Sequence, residues 1–335
     1  MIIVRAPLRI SFVGGGTDLP DFYHLHPGRV ISTAIDKYVY VAINRTPLIK
    51  KISVRYSIGE VVNHPSELKN DRVRLALLDL GIYNNIEIGT FSHLPGQTGL
   101  GASSSFSVAL MKGLYTSLGK KMNKYEAAEA ACRLEIELLK EPIGKQDQYA
   151  SALGGFNTLQ FNLDGSVGVD PVLLDYKTRL DFESHMLIFF TGIQRPASSV
   201  LTEQRANINK KFESLKEMAN LVPAFKEHLI RGDFRALGEI LHQNWLKKKS
   251  LALNVSNPLI DELYEAGIRC GAWGGKILGA GGGGCMLFLA PPEKKTAIRE
   301  MVKKIAQRHN LNDFVEIPVR IAQSGVEVIV NTGSD

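Results

Sequence analysis

The sequence predicts a two-domain α+β protein. Its 335 residues, 44% of them hydrophobic, are more than the ~150 typical of one domain. Residues 1 to 60 are rich in β-branched and aromatic side chains punctuated by glycine and proline. The elements that follow mix helix and strand without the regular alternation of a doubly wound parallel sheet.

Taken in order, Val30 to Ile35 and Tyr38 to Ile43 read as strands, residues 66 to 82 as a helix and 85 to 91 as a strand. Residues 103 to 118 and 123 to 140 read as successive helices. After Gly154-Gly155 come strands near 156 to 162 and 185 to 191, then a long helical stretch from about 197 to 250. Residues 257 to 270 read as a helix, 276 to 290 as two strands around the run Gly279 to Gly284, and 292 to 309 as an amphipathic helix. The domain boundary is expected near 175 to 185, giving domains 1–180 and 181–335.

Composition excludes several function classes. No apolar run approaches the ~20 residues of a membrane-spanning helix, and the opening Met-Ile-Ile-Val-Arg-Ala-Pro lacks a basic segment followed by a long apolar one. No membrane association is expected, and the cytoplasm is the expected location. Cys132, Cys270 and Cys285 are odd in number and far apart, which supports neither a disulfide framework nor a zinc site. The net charge of +6 is scattered rather than gathered into a basic stripe with aromatics. It suits phosphorylated metabolites better than nucleic acid. Self-association as a homodimer stays open.

The most informative segment is Pro95-Gly96-Gln97-Thr98-Gly99-Leu100-Gly101-Ala102-Ser103-Ser104-Ser105, a glycine-rich loop between a strand and a helix. Its glycines let successive amides turn towards one point, while Ser103 to Ser105 are placed to cap the helix. Unpaired amides and the positive end of the helix dipole then face an anion, so a nucleotide is the expected ligand. The spacing nearly matches a Walker A loop, but Ala102 stands where that motif has its lysine. The glycine rhythm also fails the dinucleotide pattern.

Two further glycine segments complete a pattern. Ala6-Pro7-Leu8-Arg9-Ile10-Ser11-Phe12-Val13-Gly14-Gly15-Gly16-Thr17-Asp18 is a strand and turn delivering Thr17 and Asp18, and Gly279 to Gly284 lies near the other end. With the central loop they resemble, in order, the three signature segments of the GHMP kinases. The resemblance implies an N-terminal domain like domain 2 of ribosomal protein S5, a ferredoxin-like C-terminal α/β sandwich, and ATP with Mg2+ as cofactors. The wording Val13-Gly14-Gly15-Gly16-Thr17-Asp18 and Pro142-Ile143-Gly144-Lys145-Gln146-Asp147-Gln148-Tyr149 is similar to the branch acting on D-glycero-D-manno-heptose 7-phosphate. Galactokinases carry Glu-His where Gly15-Gly16 stand here.

Phosphoryl transfer needs charge neutralisation at the phosphates, a metal, and a group that orients the acceptor hydroxyl and takes its proton. By the resemblance Asp147 is the catalytic aspartate, with a helix N-cap as its plain structural alternative. Arg9 would hold Asp147 ionised and steady the phosphoryl group, or form an ordinary ion pair. Gly15, Gly16, Thr17 and Asp18 are the expected sugar contacts. Residues 95, 96 and 99 to 105, together with Gly281 and Gly282, are the expected nucleotide contacts. Ser103 and Glu135 match the metal-side residues, with Glu137 competing with Glu135. For a distal phosphate on the substrate, Arg195, Lys247, Lys248, Lys249, Arg269 and Lys276 are available, and the sequence does not choose among them. The rival readings are another sugar 1-kinase, such as one for L-fucose, and a nucleotide- and sugar-binding regulator without catalysis.

Overall fold

The computed structural model describes residues 1–195 and 197–333. The first half of the chain runs β1 (Ile2–Val13), a helical turn α1 (Pro20–Tyr23), β2 (Gly28–Arg45), β3 (Ile52–Arg55), β4 (Gly59–Val62), α2 (Asp71–Asp79), β5 (Ile86–Ser92), α3 (Ala102–Ser117), α4 (Lys124–Cys132), α5 (Gln146–Leu153), β6 (Phe156–Phe161) and β7 (Val167–Pro171). The second half runs α6 (Tyr176–His185), β8 (Met186–Phe190), α7 (Ala197–Asn207), α8 (Phe212–Arg231), α9 (Phe234–Lys249), α10 (Pro258–Arg269), β9 (Gly274–Ile277), β10 (Cys285–Leu289), α11 (Lys295–Arg308), β11 (Val315–Glu316) and β12 (Glu327–Asn331).

One sheet has the order β12-β1-β2-β5-β3-β4, with β6 on the other end of β2 and β7 beside it. The second, antiparallel, has the order β11-β8-β10-β9. The α+β class is as expected. The last strand, however, leaves the 181–335 segment and pairs with β1, Arg5 facing Glu327, where an ion pair of 2.7 Å joins them. A pairing between residues this far apart leaves no local mark in the sequence.

Several elements differ from their expected form for physical reasons. The segments 30–35 and 38–43 are one strand, β2, whose register against β1 shifts between Pro7 and Leu8, leaving Asp36 and Lys37 as a bulge. Pro7 has no N–H for the ladder, so the irregularity falls where a bond would be missing anyway. The helical stretch 197–250 is three helices. Its sharpest break is Gly232, left-handed at φ 73°, after which the Asp233 side chain caps α9 by accepting from Ala236 N. The expected helix over 123–140 opens with the capping box of Asn123 and Glu126, then widens into a π-helical turn over Arg133–Leu138.

The core explains how the two sheets enclose a cleft. Helix α3 lays Val108, Leu110, Met111 and Leu114 against the first sheet, with Val4, Val41 and Ile43 in the same apolar cluster. A second cluster joins Leu8, Ile10 and Phe12 of β1 to Val222, Phe225 and Leu229 of α8 and to Ile188, Leu287 and Leu289 of the second sheet. The Phe12 ring stacks on both Phe156 and Phe225 at centroid distances of 5.4 Å. This shared core fixes the end of β1, and the residues just before and after it, against the C-terminal half.

Candidate active site

The glycine loop is held from both sides. Arg9 N donates to Leu100 O and Cys285 N donates to Thr98 O, each at 2.9 Å, so β1 and β10 clamp alternate carbonyls of the loop. Gly99 and Gly279 have φ of 78° and 69°, and they touch: a Cβ on Gly279 would lie 2.7 Å from Gly99 Cα, and one on Gly99 would lie 2.5 Å from Leu278 O. Glycine is required at this contact because any side chain would separate the two segments.

The expected serine caps do not form. Gly101, left-handed at φ 77°, takes the N-cap position of α3 with no side-chain cap, because a residue in that conformation already turns the chain into the helix. Ser105 Oγ instead donates to Pro7 O at 2.8 Å and to Gly101 O at 3.0 Å. The first-turn amides are therefore left without a serine across them, as an anion requires.

A cavity of about 530 Å³ opens beside this loop, lined among others by Arg9, Gly15, Gly16, Asp18, Thr98, Gly99, Gly101 to Ser104, Gln146, Asp147, Lys248 and Gly279. Arg9, 4% exposed, grips Asp147 with two parallel bonds, Nε to Oδ1 at 2.6 Å and Nη2 to Oδ2 at 2.5 Å. Its remaining Nη1 donates to Gly99 O at 2.6 Å. A bidentate guanidinium fixes the plane of a carboxylate as well as its charge. Asp147 sits in the first turn of α5, whose N-cap is Lys145, so Asp147 is not that helix's cap.

Asp18 lies deeper, at 2% exposure. Its Oδ1 accepts from Gly16 N at 3.0 Å and from Gln146 Nε2 at 2.9 Å. Burial, and then the charge of Asp147, push its carboxyl above the ordinary carboxylate range. Gln146 Oε1, Thr98 Oγ1 and Ser11 Oγ, all on cavity-lining residues, are buried without a hydrogen-bond partner among the described residues. Such orphaned polar atoms belong in a site that completes itself with a ligand.

The π-helical turn carries Glu135 inward, fully buried, while Glu137 in the same turn keeps 68% of its side chain exposed near Arg133. Glu135 Oε1 lies 3.4 Å from the Ser103 hydroxyl and 3.3 Å from Arg72 Nε, and Oε2 accepts from Gln148 Nε2 at 2.6 Å. Burial raises its pKa, and Arg72 opposes that rise. Ser103 lines the cavity, whereas Glu135 lies behind it and reaches that wall through the Ser103 hydroxyl; together they offer the oxygen donors that Mg2+ takes while keeping its waters.

Other expected contacts stand off the cavity wall. Pro95 and Gly96 are exposed at the rim, and Leu100 is part of the apolar core. Thr17 Oγ1 donates to Gly14 O and Arg29 O, tying the turn rather than facing the cavity. Gly281 and Gly282 pack on Val255 and on Arg195 and Asn254. Arg72 and Gln146 line the cavity unforeseen. Gln146 stood beside the expected aspartate in the sequence, whereas nothing around Arg72 marked it.

Family profiles of the GHMP kinases match this chain twice, the N terminal domain over residues 70–155 and the C terminal over 221–307. The chain is 30% identical over 320 residues to the D-glycero-alpha-D-manno-heptose 7-phosphate kinase of Campylobacter jejuni, covering 90% of this chain and 93% of that one. It is 29% identical over 347 residues to the bifunctional fucokinase/GDP-fucose pyrophosphorylase of Arabidopsis thaliana, covering 95% of this chain and 32% of that longer one. Its fold is shared with a D-glycero-D-manno-heptose 1-phosphate kinase from Bacteriodes thetaiotaomicron, with a TM-score of 0.78, 23% identity and coverage of 99% and 100% of the two chains. It is shared equally with the galactokinase of Lactococcus lactis complexed with galactose, with a TM-score of 0.78, 17% identity and coverage of 97% and 94%.

Proposed function

This chain belongs to the GHMP kinases, ATP-dependent phosphotransferases, and we propose that its acceptor is the anomeric hydroxyl of D-glycero-D-manno-heptose 7-phosphate, which it converts to the 1,7-bisphosphate. The observation that carries this reading is the convergence of the Arg9–Asp147 pair, Asp18 and the glycine loop on one cavity. The heptose assignment is supported by the Campylobacter jejuni relative, whose alignment spans nearly both chains.

The chemistry follows from the geometry. The first-turn amides of α3 and the backbone of Gly99 and Gly101 would hold the phosphates of ATP. The sugar sits against Asp18, Gly15 and Gly16. Asp147, held in plane by the two bonds from Arg9, aligns the acceptor hydroxyl and receives its proton as the new oxygen–phosphorus bond forms and the bond to ADP breaks. Mg2+, when held by Ser103 and Glu135, supplies charge neutralisation at the phosphates. Asp18, fixed by Gly16 N and Gln146, grips sugar hydroxyls and so places the reacting oxygen.

In this reading the bisphosphate feeds nucleotide-activated heptose for surface polysaccharide, and the enzyme works in the cytoplasm, where its ATP is. Among the described residues no helix is long and apolar enough to cross a membrane. The test is incubation with Mg-ATP and a panel of heptoses and hexoses with and without a terminal phosphate, the product identified by mass and phosphorus NMR. Heptose 7-phosphate is expected to react best. Preferential turnover of an unphosphorylated sugar such as L-fucose overturns the heptose assignment while leaving a sugar kinase.

A further inference from the structure

Among the cations available to an anionic ligand, most have another commitment. Lys247 pairs with Glu217, Lys249 with Asp261 and Arg269 with Glu265. Arg195 donates to Asn254 O, and buried Lys276 donates to the carbonyls of Ser11 and Phe12. Lys248 differs. The helical period of α9 turns Leu241, Asn244, Trp245 and Lys248 inward together, so this lysine is 4% exposed and lines the cavity while its two lysine neighbours face outward.

Its ammonium donates to Gly279 O. Arg9 in turn donates to Gly99 O, and Gly99 touches Gly279. Two cations are thus mounted on the carbonyls of two contacting residues, where the glycine loop meets the C-terminal glycine run. The charge of Arg9 is matched by Asp147, but among the described residues no carboxylate lies within ion-pairing distance of Lys248. An ammonium buried without a direct ion pair is expensive to keep, and the cost is recovered if an anion arrives beside it.

We propose that Lys248 is a catalytic residue whose ammonium contacts the γ-phosphoryl group of ATP as that group passes to the acceptor oxygen aligned by Asp147. The proposal rests on the kinase reading above. In the step itself the bond from phosphorus to the β-phosphate oxygen breaks, the bond to the acceptor oxygen forms, and the acceptor proton goes to Asp147. Lys248 keeps its own proton and supplies charge, beside Arg9, where charge builds in the transition state. Arg9, Asp18, Asp147 and Lys276 are the charged groups around it. Burial, reinforced by Arg9, lowers its pKa to about 8, so the ammonium is present at neutral pH and is lost above it.

The test compares wild type, K248M and K248R in two arms. Calorimetry without acceptor measures ATP and ADP affinity. K248M is expected to bind ADP unchanged and to lose ATP affinity by about tenfold, the size of one charge-assisted hydrogen bond. In the second arm, ADP release with the sugar that wild type turns over, kcat is expected to fall about 100-fold in K248M, as on loss of one transition-state donor. K248R is expected to restore much of it and to move the alkaline limb near pH 8 upward. Equal loss of ATP and ADP affinity, an unchanged preference for ATP, or a rise confined to the acceptor KM overturns the proposal. The nucleotide arm needs no acceptor, so a wrong sugar shows only as wild type preferring another substrate.

Discussion

Asp18 rests its carboxylate directly on the backbone of Gly144, so closely that a Cβ on Gly144 would lie 2.1 Å from Asp18 Oδ2. The glycine three residues before Asp147 therefore makes room for Asp18 as well as for the turn. Gly144→Ala is expected to displace Asp18 and to raise the acceptor KM by about tenfold or more, with the ATP KM much less affected. Steady-state kinetics with each substrate varied in turn decides this. Unchanged acceptor KM would mean that Asp18 does not grip the sugar.

Asp147→Asn keeps the size of the side chain and an acceptor for Arg9, but it cannot take a proton. Transfer is expected to drop by about 10²–10⁴-fold, the usual weight of a positioned general base. ATP affinity, measured by calorimetry, should stay within a few-fold of wild type. Near-normal turnover removes Asp147 from proton transfer and returns the Arg9 pair to a structural role.

The buried carboxylate of Asp18 also sets an acid limit. Its folded pKa is raised by burial and by Asp147, so the ionised form that accepts sugar hydroxyls is lost as pH falls through a value above the ordinary 3.8. Acceptor kcat/KM is expected to fall on that acid limb, and Asp18→Asn is expected to abolish the limb along with most of the acceptor affinity. Stability runs the opposite way: the penalty for an ionised buried Asp18 is absent below its unfolded pKa and grows as pH rises through the folded one. A pH profile whose acid limb survives in the asparagine variant assigns it to another group.

Much of the site was legible because it is written in residue types that have few other uses. A glycine loop without the Walker lysine, a serine at its end and an aspartate after a glycine turn point to the same chemistry wherever they fall. What the sequence hid depends on distant contacts. Lys248 is one of three consecutive lysines, and only the helical phase of α9 decides that it faces inward. Arg72 gains meaning from Glu135, which lies far along the chain. The short strand β3 turns Ile52 and Val54 inward in alternation but is only four residues long, and β4, β7 and the returning β12 carry half-buried or exposed residues, so their existence is set by partner strands more than by local pattern. Gly232 looked like one residue in a long helical stretch, yet its left-handed φ is what separates α8 from α9.

Glu135 and Glu137 lie in the same π-helical turn but face opposite environments, which makes them a matched pair for the metal. Glu135 is wholly buried beside the Ser103 hydroxyl, whereas Glu137 is mostly exposed and its nearest cation is Arg133 at 4.0 Å. If Glu135 supplies a Mg2+ ligand, Glu135→Gln should raise the Mg2+ concentration for half-maximal activity by at least the ~10-fold seen on losing a ligand's supporting partner. Glutamine keeps an oxygen for Arg72 and an amide-sized fit to Gln148, so a modest change in melting temperature is expected beside the large shift in metal requirement. Glu137→Gln should leave the Mg2+ curve where it was, because an exposed pair of this kind contributes little. A Mg2+ titration of ADP release in the two variants reads the difference directly. Equal shifts in both, or none in Glu135→Gln, would leave Glu135 as a buried partner of Arg72 and Gln148 that orders the turn without touching metal.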